Sequence, residues 1–128
     1  MKCNRLLSAF TLAVVLLVTT FAMARDEEVN ELITEHWAWT LKQSPVFAGQ
    51  LGDRTGDGKL AKVSLKQHSL NHRSLKSFLK KANSINAKSL SKDAKQNLDI
   101  FIRYLGDEIA EYEFQSHLIP ITNRWGFH

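Results

Sequence analysis

The segment that comes closest to a known chemical motif is the loop of residues 53–60, which imitates part of a calcium-binding loop. Asp53, Thr55 and Asp57 stand at its first, third and fifth positions, and a glycine follows at the sixth. Alternating oxygen ligands followed by a glycine for the sharp turn are typical of an EF-hand-like loop. The twelfth position is Ser64, where such a loop uses a bidentate carboxylate. We interpret the segment as a connector that ends at a helix N-cap, with calcium binding as the alternative.

A second candidate is the pair His68 and His72, which are four residues apart in a stretch with helical periodicity. This spacing places both imidazoles on one helix face, where they could share a transition-metal ion. The intervening residues include no glutamate, so the pattern of a zinc-peptidase helix is absent. A third ligand would have to be His36 or His117, brought near by folding. Partly buried histidines that pack against the apolar stripe are the preferred interpretation.

The tryptophans Trp37 and Trp39 would suit a ligand-stacking surface, but large aromatic side chains in an amphipathic helix usually pack in the core. The spacing assigns Trp37 to the main apolar stripe and Trp39 to its flank. No serine has the sequence context of a nucleophile elbow, and Cys3 is the only cysteine. The sequence therefore predicts no catalytic residue and no cofactor, and we expect no enzymatic activity of this chain alone.

Three amphipathic helices would position these residues, and the sequence predicts an all-α fold. The first runs from about Asp26 to Gln43, the second starts at a capping box of Ser64 and Gln67, and the third starts at the N-cap Ser91. The predicted inward-facing residues are Val29, Ile33, Trp37 and Leu41 in the first helix, Leu65, Leu75, Phe78, Leu79 and Ala82 in the second, and Ala94, Leu98, Phe101, Leu105, Ile109 and Tyr112 in the third.

Two further segments complete the predicted organisation. Ser44 precedes Pro45, which disfavours a helical backbone at Ser44 and ends the first helix there. From Gln115 onward the chain becomes apolar and extended in character, and it runs to His128 without a stop signal. We therefore expect three main helices plus an extended tail, forming an incomplete layer of a larger helical domain.

The N-terminus has the order of a secretory signal peptide. Lys2 and Arg5 precede an uncharged apolar stretch that ends in small residues. This order predicts cleavage between Ala24 and Arg25, so that residues 1–24 are removed and the product is secreted or periplasmic. An uncleaved membrane anchor is the alternative, since the apolar run approaches the ~20 residues that span a bilayer.

Signal removal would leave 15 basic and 13 acidic residues in segment 25–128, because Lys2 and Arg5 are lost from 17 basic residues. The net charge would fall from +4 to +2, and no cysteine would remain. The lysines are scattered over predicted helix faces without interleaved aromatic residues, so the sequence predicts no nucleic-acid binding. We also expect no membrane contact once the signal peptide is removed. About 100 residues suffice for one modest apolar core.

The segment from Glu31 to Asp53 resembles the opening of the bacterial family known as domain of unknown function 885. That family has a W-x-W helix followed by S-P-x-F-A and L-G-D, which correspond here to Trp37-Ala38-Trp39, Ser44-Pro45-Val46-Phe47-Ala48 and Leu51-Gly52-Asp53. Farther on, Leu90-Ser91 with Asn97-Leu98-Asp99, and then Leu118 to Thr122, resemble the family's next helix and its apolar L-L-P segment.

This resemblance implies an exported, largely helical protein related to zinc metallopeptidases, in which a His-Glu helix lies far downstream of the region present here. The chain would then be a truncated N-terminal part, inactive alone, that contacts the missing C-terminal catalytic region. No residue of the chain matches a metal ligand or general base of the family. The alternative is a small self-contained exported protein that binds an unknown protein partner through its Trp-bearing helix.

Overall fold

A computed structural model of the chain describes residues 25–119, and within this range every regular element is a helix. The predicted all-α class is thus confirmed. Helix α1 covers residues 25–43, α2 Pro45–Gln50, α3 Leu65–Ser84 and α4 Lys92–Glu113, and single 3-10 turns occupy Arg54–Gly56, Ala87–Ser89 and Ser116–Leu118. The predicted signal peptide, residues 1–24, lies outside the described range, and so does Ala24 of its cleavage site. Residues 120–128 of the predicted tail also lie outside it.

Helices α3 and α4 start where the sequence predicts N-caps. The hydroxyl oxygens of Ser64 and Ser91 each accept a hydrogen bond of 3.2 Å from the backbone N–H three residues later. These bonds satisfy donors that the first turn of a helix leaves free. The reciprocal half of the predicted capping box does not form, because the Gln67 side chain donates to Gln43 and Asn71 instead.

The break between α1 and α2 follows from proline chemistry. Ser44 has φ −125° and ψ 71°, outside the helical region, and Pro45 occupies the first turn of α2, where its missing N–H costs nothing. The following loop returns to this break. A Cβ at Gly56 would lie 2.9 Å from Pro45 Cβ, so only glycine allows the loop backbone to pack this closely.

The three long helices form an up-down-up arrangement. At one end, the Ser91 N–H donates to Asp26 Oδ1 at 3.0 Å, which joins the start of α1 to the start of α4. At the other end, the Gln67 side chain donates to Gln43 Oε1 at 3.3 Å, which joins the end of α1 to the start of α3. Helix α1 is therefore antiparallel to α3 and parallel to α4. Hydrogen bonds from the Ser91 side chain and backbone also lower the pKa of Asp26.

A single apolar core lies between these helices, and α4 supplies more of its buried residues than either of the other two helices. The stripe predicted for α4 is confirmed from Ala94 to Ile109, and Tyr112 is partly buried. The buried members of the core cluster are Val29, Leu32, Leu75, Phe78, Ala82, Leu98, Phe101, Leu105 and Ile109.

Two predicted core residues are instead exposed. Trp37 is 46% exposed and Leu65 is 64% exposed, whereas His36 is buried at 6% exposure. The reason in α1 is geometric, because each step of four residues advances about 40° beyond a full turn. The predicted ladder therefore drifts about 80° between Val29 and Trp37, while Leu32 and His36 stay on the side that faces α3 and α4.

The chain after α4 also differs from the predicted extended tail. Gln115 has φ 59°, a left-handed conformation that reverses the chain direction, and Ser116–Leu118 then forms a 3-10 turn. Only Ile119, the last described residue, has extended backbone angles. This reversal brings His117 against α3.

Candidate functional site

A cleft of about 420 Å³ lies between the three long helices, at the end of the bundle where α1 and α4 finish and α3 begins. This volume suits a small organic ligand. The cleft wall contains histidine, aromatic, amide and carboxylate side chains and no lysine or arginine. Its lining residues are His36, Trp39, Thr40, Gln43, Ser44, His68, Asn71, His72, Leu75, Tyr104, Glu108, Glu111, Tyr112, Ser116 and His117.

His36 lies at the inner side of this cleft, enclosed by aromatic rings. Its ring centroid is 5.1 Å from Phe78, 5.2 Å from Phe101, 5.6 Å from Trp39 and 5.7 Å from Tyr104. Burial in this apolar surrounding disfavours the charged imidazolium and lowers the pKa of His36. The side chain therefore acts as a neutral member of the core near pH 7.

The predicted histidine pair lies on the opposite wall and belongs to a stack of four rings. His68 stacks on His117 at 4.9 Å, His117 on Tyr112 at 4.7 Å, and Tyr112 on His72 at 4.3 Å. The interpretation of His68 and His72 as partly buried packing residues agrees with their intermediate exposure. Folding does bring His117 to His68, but within residues 25–119 no three histidine, cysteine or acidic side chains are arranged to hold a metal ion.

Three buried ring nitrogens of these histidines have no hydrogen-bond partner among the described residues. They are Nε2 of His36, Nε2 of His72 and Nδ1 of His117. His72 Nε2 is 3.4 Å from Glu113 Oε1, close enough for an ion pair when protonated but without hydrogen-bond geometry. Buried polar atoms are normally paired with protein or water, so each of these nitrogens requires a partner such as an ordered water or a bound group.

The α4 wall of the cleft is acidic. Tyr104, Glu108 and Glu111 are separated by four and three residues, which places them on one helix face. Burial, then the nearby Glu111 and Asp107, raise the pKa of Glu108, and burial with Glu108 and Glu111 raises the pKa of Tyr104. None of these three residues was predicted as a site residue, although their spacing in the sequence already indicates a shared helix face.

The candidate calcium loop is closed by its own hydrogen bonds. Asp53 Oδ1 accepts from the Thr55 N–H at 2.9 Å and from the Thr55 hydroxyl at 2.7 Å, and the hydroxyl bond is the larger cause of the lowered pKa of Asp53. Asp57 Oδ2 accepts from Arg54 Nε at 3.1 Å. The three candidate ligands therefore form an Asx-type turn and an ion pair, as expected of a connector.

The exposed Trp37 side chain has an apolar neighbour across the helix break. Its ring meets that of Phe47 edge to face at 6.0 Å, and Val46 and Leu51 are also exposed. The two tryptophans of α1 thus have opposite roles. Trp39 packs beside the core and the cleft, and Trp37 contributes to an outer apolar surface.

Comparison of the chain with protein-family models, with curated proteins and with solved structures gave no match in any of the three. None of the helices within residues 25–119 combines the length and apolarity needed to cross a membrane.

Proposed function

We propose that the protein is an exported helical binding protein and that the cleft between α1, α3 and α4 is its ligand site. The observation that carries this proposal is a cleft lined by aromatic, amide and carboxylate side chains and by three histidines that each have a buried ring nitrogen without a hydrogen-bond partner within residues 25–119. These nitrogens are shielded from the open space of the cleft, so a ligand reaches them only when the imidazole rings turn, and the hydrogen bonds formed then would contribute to binding. The predicted signal peptide supports export to the periplasm or the exterior.

Binding without catalysis is the expected activity of this chain. The Thr40 hydroxyl in the cleft wall donates to the His36 carbonyl oxygen at 3.0 Å, so its proton is not directed to an imidazole base. Glu108 and Glu111 lie on one helix, one turn apart, and would act on the same side of a ligand. Two carboxylates on the same side of a ligand are suited to balance its positive charge. They do not flank a scissile bond as the two carboxylates of a glycosidase do.

A thermal unfolding screen of the full chain with small amines, alcohols, carboxylates and sugars tests the proposal. A ligand at 100 times its dissociation constant stabilises the folded state by about 2.7 kcal/mol, so a true ligand is expected to raise the midpoint by several degrees. Ser116→Trp should narrow the cleft from its rim and abolish the shift. Lys88→Trp, at an exposed turn position at the other end of the bundle, should preserve it.

If no compound of any class shifts the midpoint, the cleft is not a small-molecule site and the proposal fails. The same conclusion follows if Ser116→Trp and Lys88→Trp respond to the ligand equally. The shift of each variant is measured from its own unfolding midpoint without ligand, so that a change in stability alone is not counted as lost binding.

A second proposal concerns the outer surface of Trp37, Val46, Phe47 and Leu51. We propose that this surface is covered by a downstream region of a longer protein resembling the domain of unknown function 885 family. The order of the W-x-W, S-P-x-F-A and L-G-D motifs supports it, as does the exposure of four apolar side chains at those motifs. The DNA after the His128 codon is the test. A His-Glu helix encoded downstream in any frame is expected, and an unrelated gene there argues for an unknown protein partner instead.

A further inference from the structure

We propose that the ligand of the cleft is a small organic cation, an amine that carries an aromatic group, held by the carboxylates of Glu108 and Glu111. This inference rests on the proposed function and names the class of ligand for the same site. The first argument is charge. The cleft wall holds two carboxylates and no lysine or arginine, and neither carboxylate forms an ion pair within residues 25–119.

The helix termini add to the negative potential of the cleft. The C-terminal ends of α1 and α4 both border it, at Gln43 and Tyr112, and a helix C-terminus has a partial negative charge. The N-terminal end of α3 opposes this with one partial positive charge near His68. The cleft thus has two negative helix ends and two carboxylates, whereas only one positive helix end borders it. Its electrostatic potential therefore favours a cation.

The aromatic side chains of the wall suit the same ligand. Trp39 and Tyr104 lie around the cleft, and a cation is attracted to the negative face of an aromatic ring. Tyr112 also borders the cleft, but its two faces are covered by His72 and His117. The apolar part of an aromatic amine would pack against the same rings. An inorganic cation has no apolar part to pack against these rings, so the rings favour an organic ligand.

The buried side chain of His36 is a further polar group beside the cleft. His36 is nine-tenths buried, borders the cleft and has an Nε2 without a hydrogen-bond partner within residues 25–119. An ammonium group has three N–H donors and no acceptor, so it pairs with the carboxylates, and it pairs with His36 Nε2 in the tautomer that has its proton on Nδ1. The raised pKa of Glu108 agrees with this picture, because burial and the neighbouring acids leave its charge without compensation.

Three probes of similar size and different charge test the inference by isothermal titration calorimetry on the full chain. They are 2-phenylethylamine, 2-phenylethanol and 3-phenylpropanoate. We expect the amine to bind, its affinity to fall as salt is added, and the alcohol and the acid to bind at least about tenfold more weakly, a difference of about 1.4 kcal/mol.

Equal binding of the amine and the alcohol, preferential binding of the acid, or binding of none of the three would overturn the cation assignment. In these cases a hit of another class in the unfolding screen would leave the proposed binding function standing. An empty screen would remove both.

The carboxylates are tested by the double variant E108Q/E111Q, with Asp99→Asn on an exposed part of the same helix as its control. Removing both charges is expected to weaken the amine about tenfold and to leave the alcohol unchanged. Asp99→Asn should alter neither affinity by more than about twofold. If E108Q/E111Q binds the amine as wild type does, or if Asp99→Asn weakens it equally, Glu108 and Glu111 are not the counter-charge and the proposal is wrong.

Discussion

Leu105→Ala is expected to lower the free energy of unfolding by about 2–5 kcal/mol. Leu105 is fully buried on α4, at the centre of the apolar cluster that all three long helices share. The truncation loses the transfer free energy of three carbon atoms and leaves a cavity that a three-helix core fills only partly. Domains of this size are stable by about 5–15 kcal/mol, so this single change removes a large share of the total.

Ile100→Ala on the same helix is the matched control. Ile100 is 59% exposed, and alanine has the higher helix propensity, so the small loss of burial is largely offset. Its free energy of unfolding should stay within about 0.5 kcal/mol of wild type. Urea unfolding followed by far-UV circular dichroism measures both. Equal losses for the two variants would mean that Leu105 does not occupy the centre of the core.

Acidification is expected to destabilise the protein through His36. Burial among Trp39, Phe78, Phe101 and Tyr104 lowers its pKa in the folded state, whereas in the unfolded chain the imidazole titrates near pH 6.5. The unfolded state therefore binds the proton first. The contribution of His36 to the free energy of unfolding is constant well above pH 6.5 and falls below it, by no more than about 1.4 kcal/mol per pH unit, until the lowered pKa is reached.

Removing the imidazole of His36 should make the free energy of unfolding depend less on pH. For His36→Leu and His36→Phe, the free energy of unfolding is expected to change less between about pH 7.5 and pH 5 than it does for wild type. The slope is compared, and not the absolute stability, because either replacement also changes packing. Gln43→Leu, a cleft residue of α1 that does not titrate, should keep the wild-type slope. Slopes that are the same in all four proteins would show that His36 is not the group responsible.

Local signals made the helices predictable. Ser64 and Ser91 have side chains that bond free N–H groups, and Pro45 excludes a helical Ser44, so each boundary rests on one residue and its neighbours. The buried stripe of α4 was also predictable, because its apolar residues follow a single narrow face. The hydrogen bonds of the loop at Asp53 are equally local, since they stay within three residues.

The orientation of α1 and the composition of the cleft depend on contacts distant in sequence. Two apolar stripes run side by side on α1, and the position of α3 and α4 decided that His36 faces inward and Trp37 outward. The reversal at Gln115 uses a left-handed conformation that glutamine rarely adopts, so nothing local indicated that His117 would reach His68. Glu108 became a cleft residue only because α1 and α3 form the opposite walls.

The up-down-up course of the chain places residues 25 and 119, the two ends of the described range, at opposite ends of the bundle. Residue 25 lies beside the start of α4, and residue 119 lies beside its end, with the 22 residues of α4 spanning about 33 Å between them. The cleft lies at the same end of the bundle as residue 119. A protein tethered to a surface through residue 25 would therefore present its cleft outward, whereas a tether after residue 119 would stand at the cleft mouth.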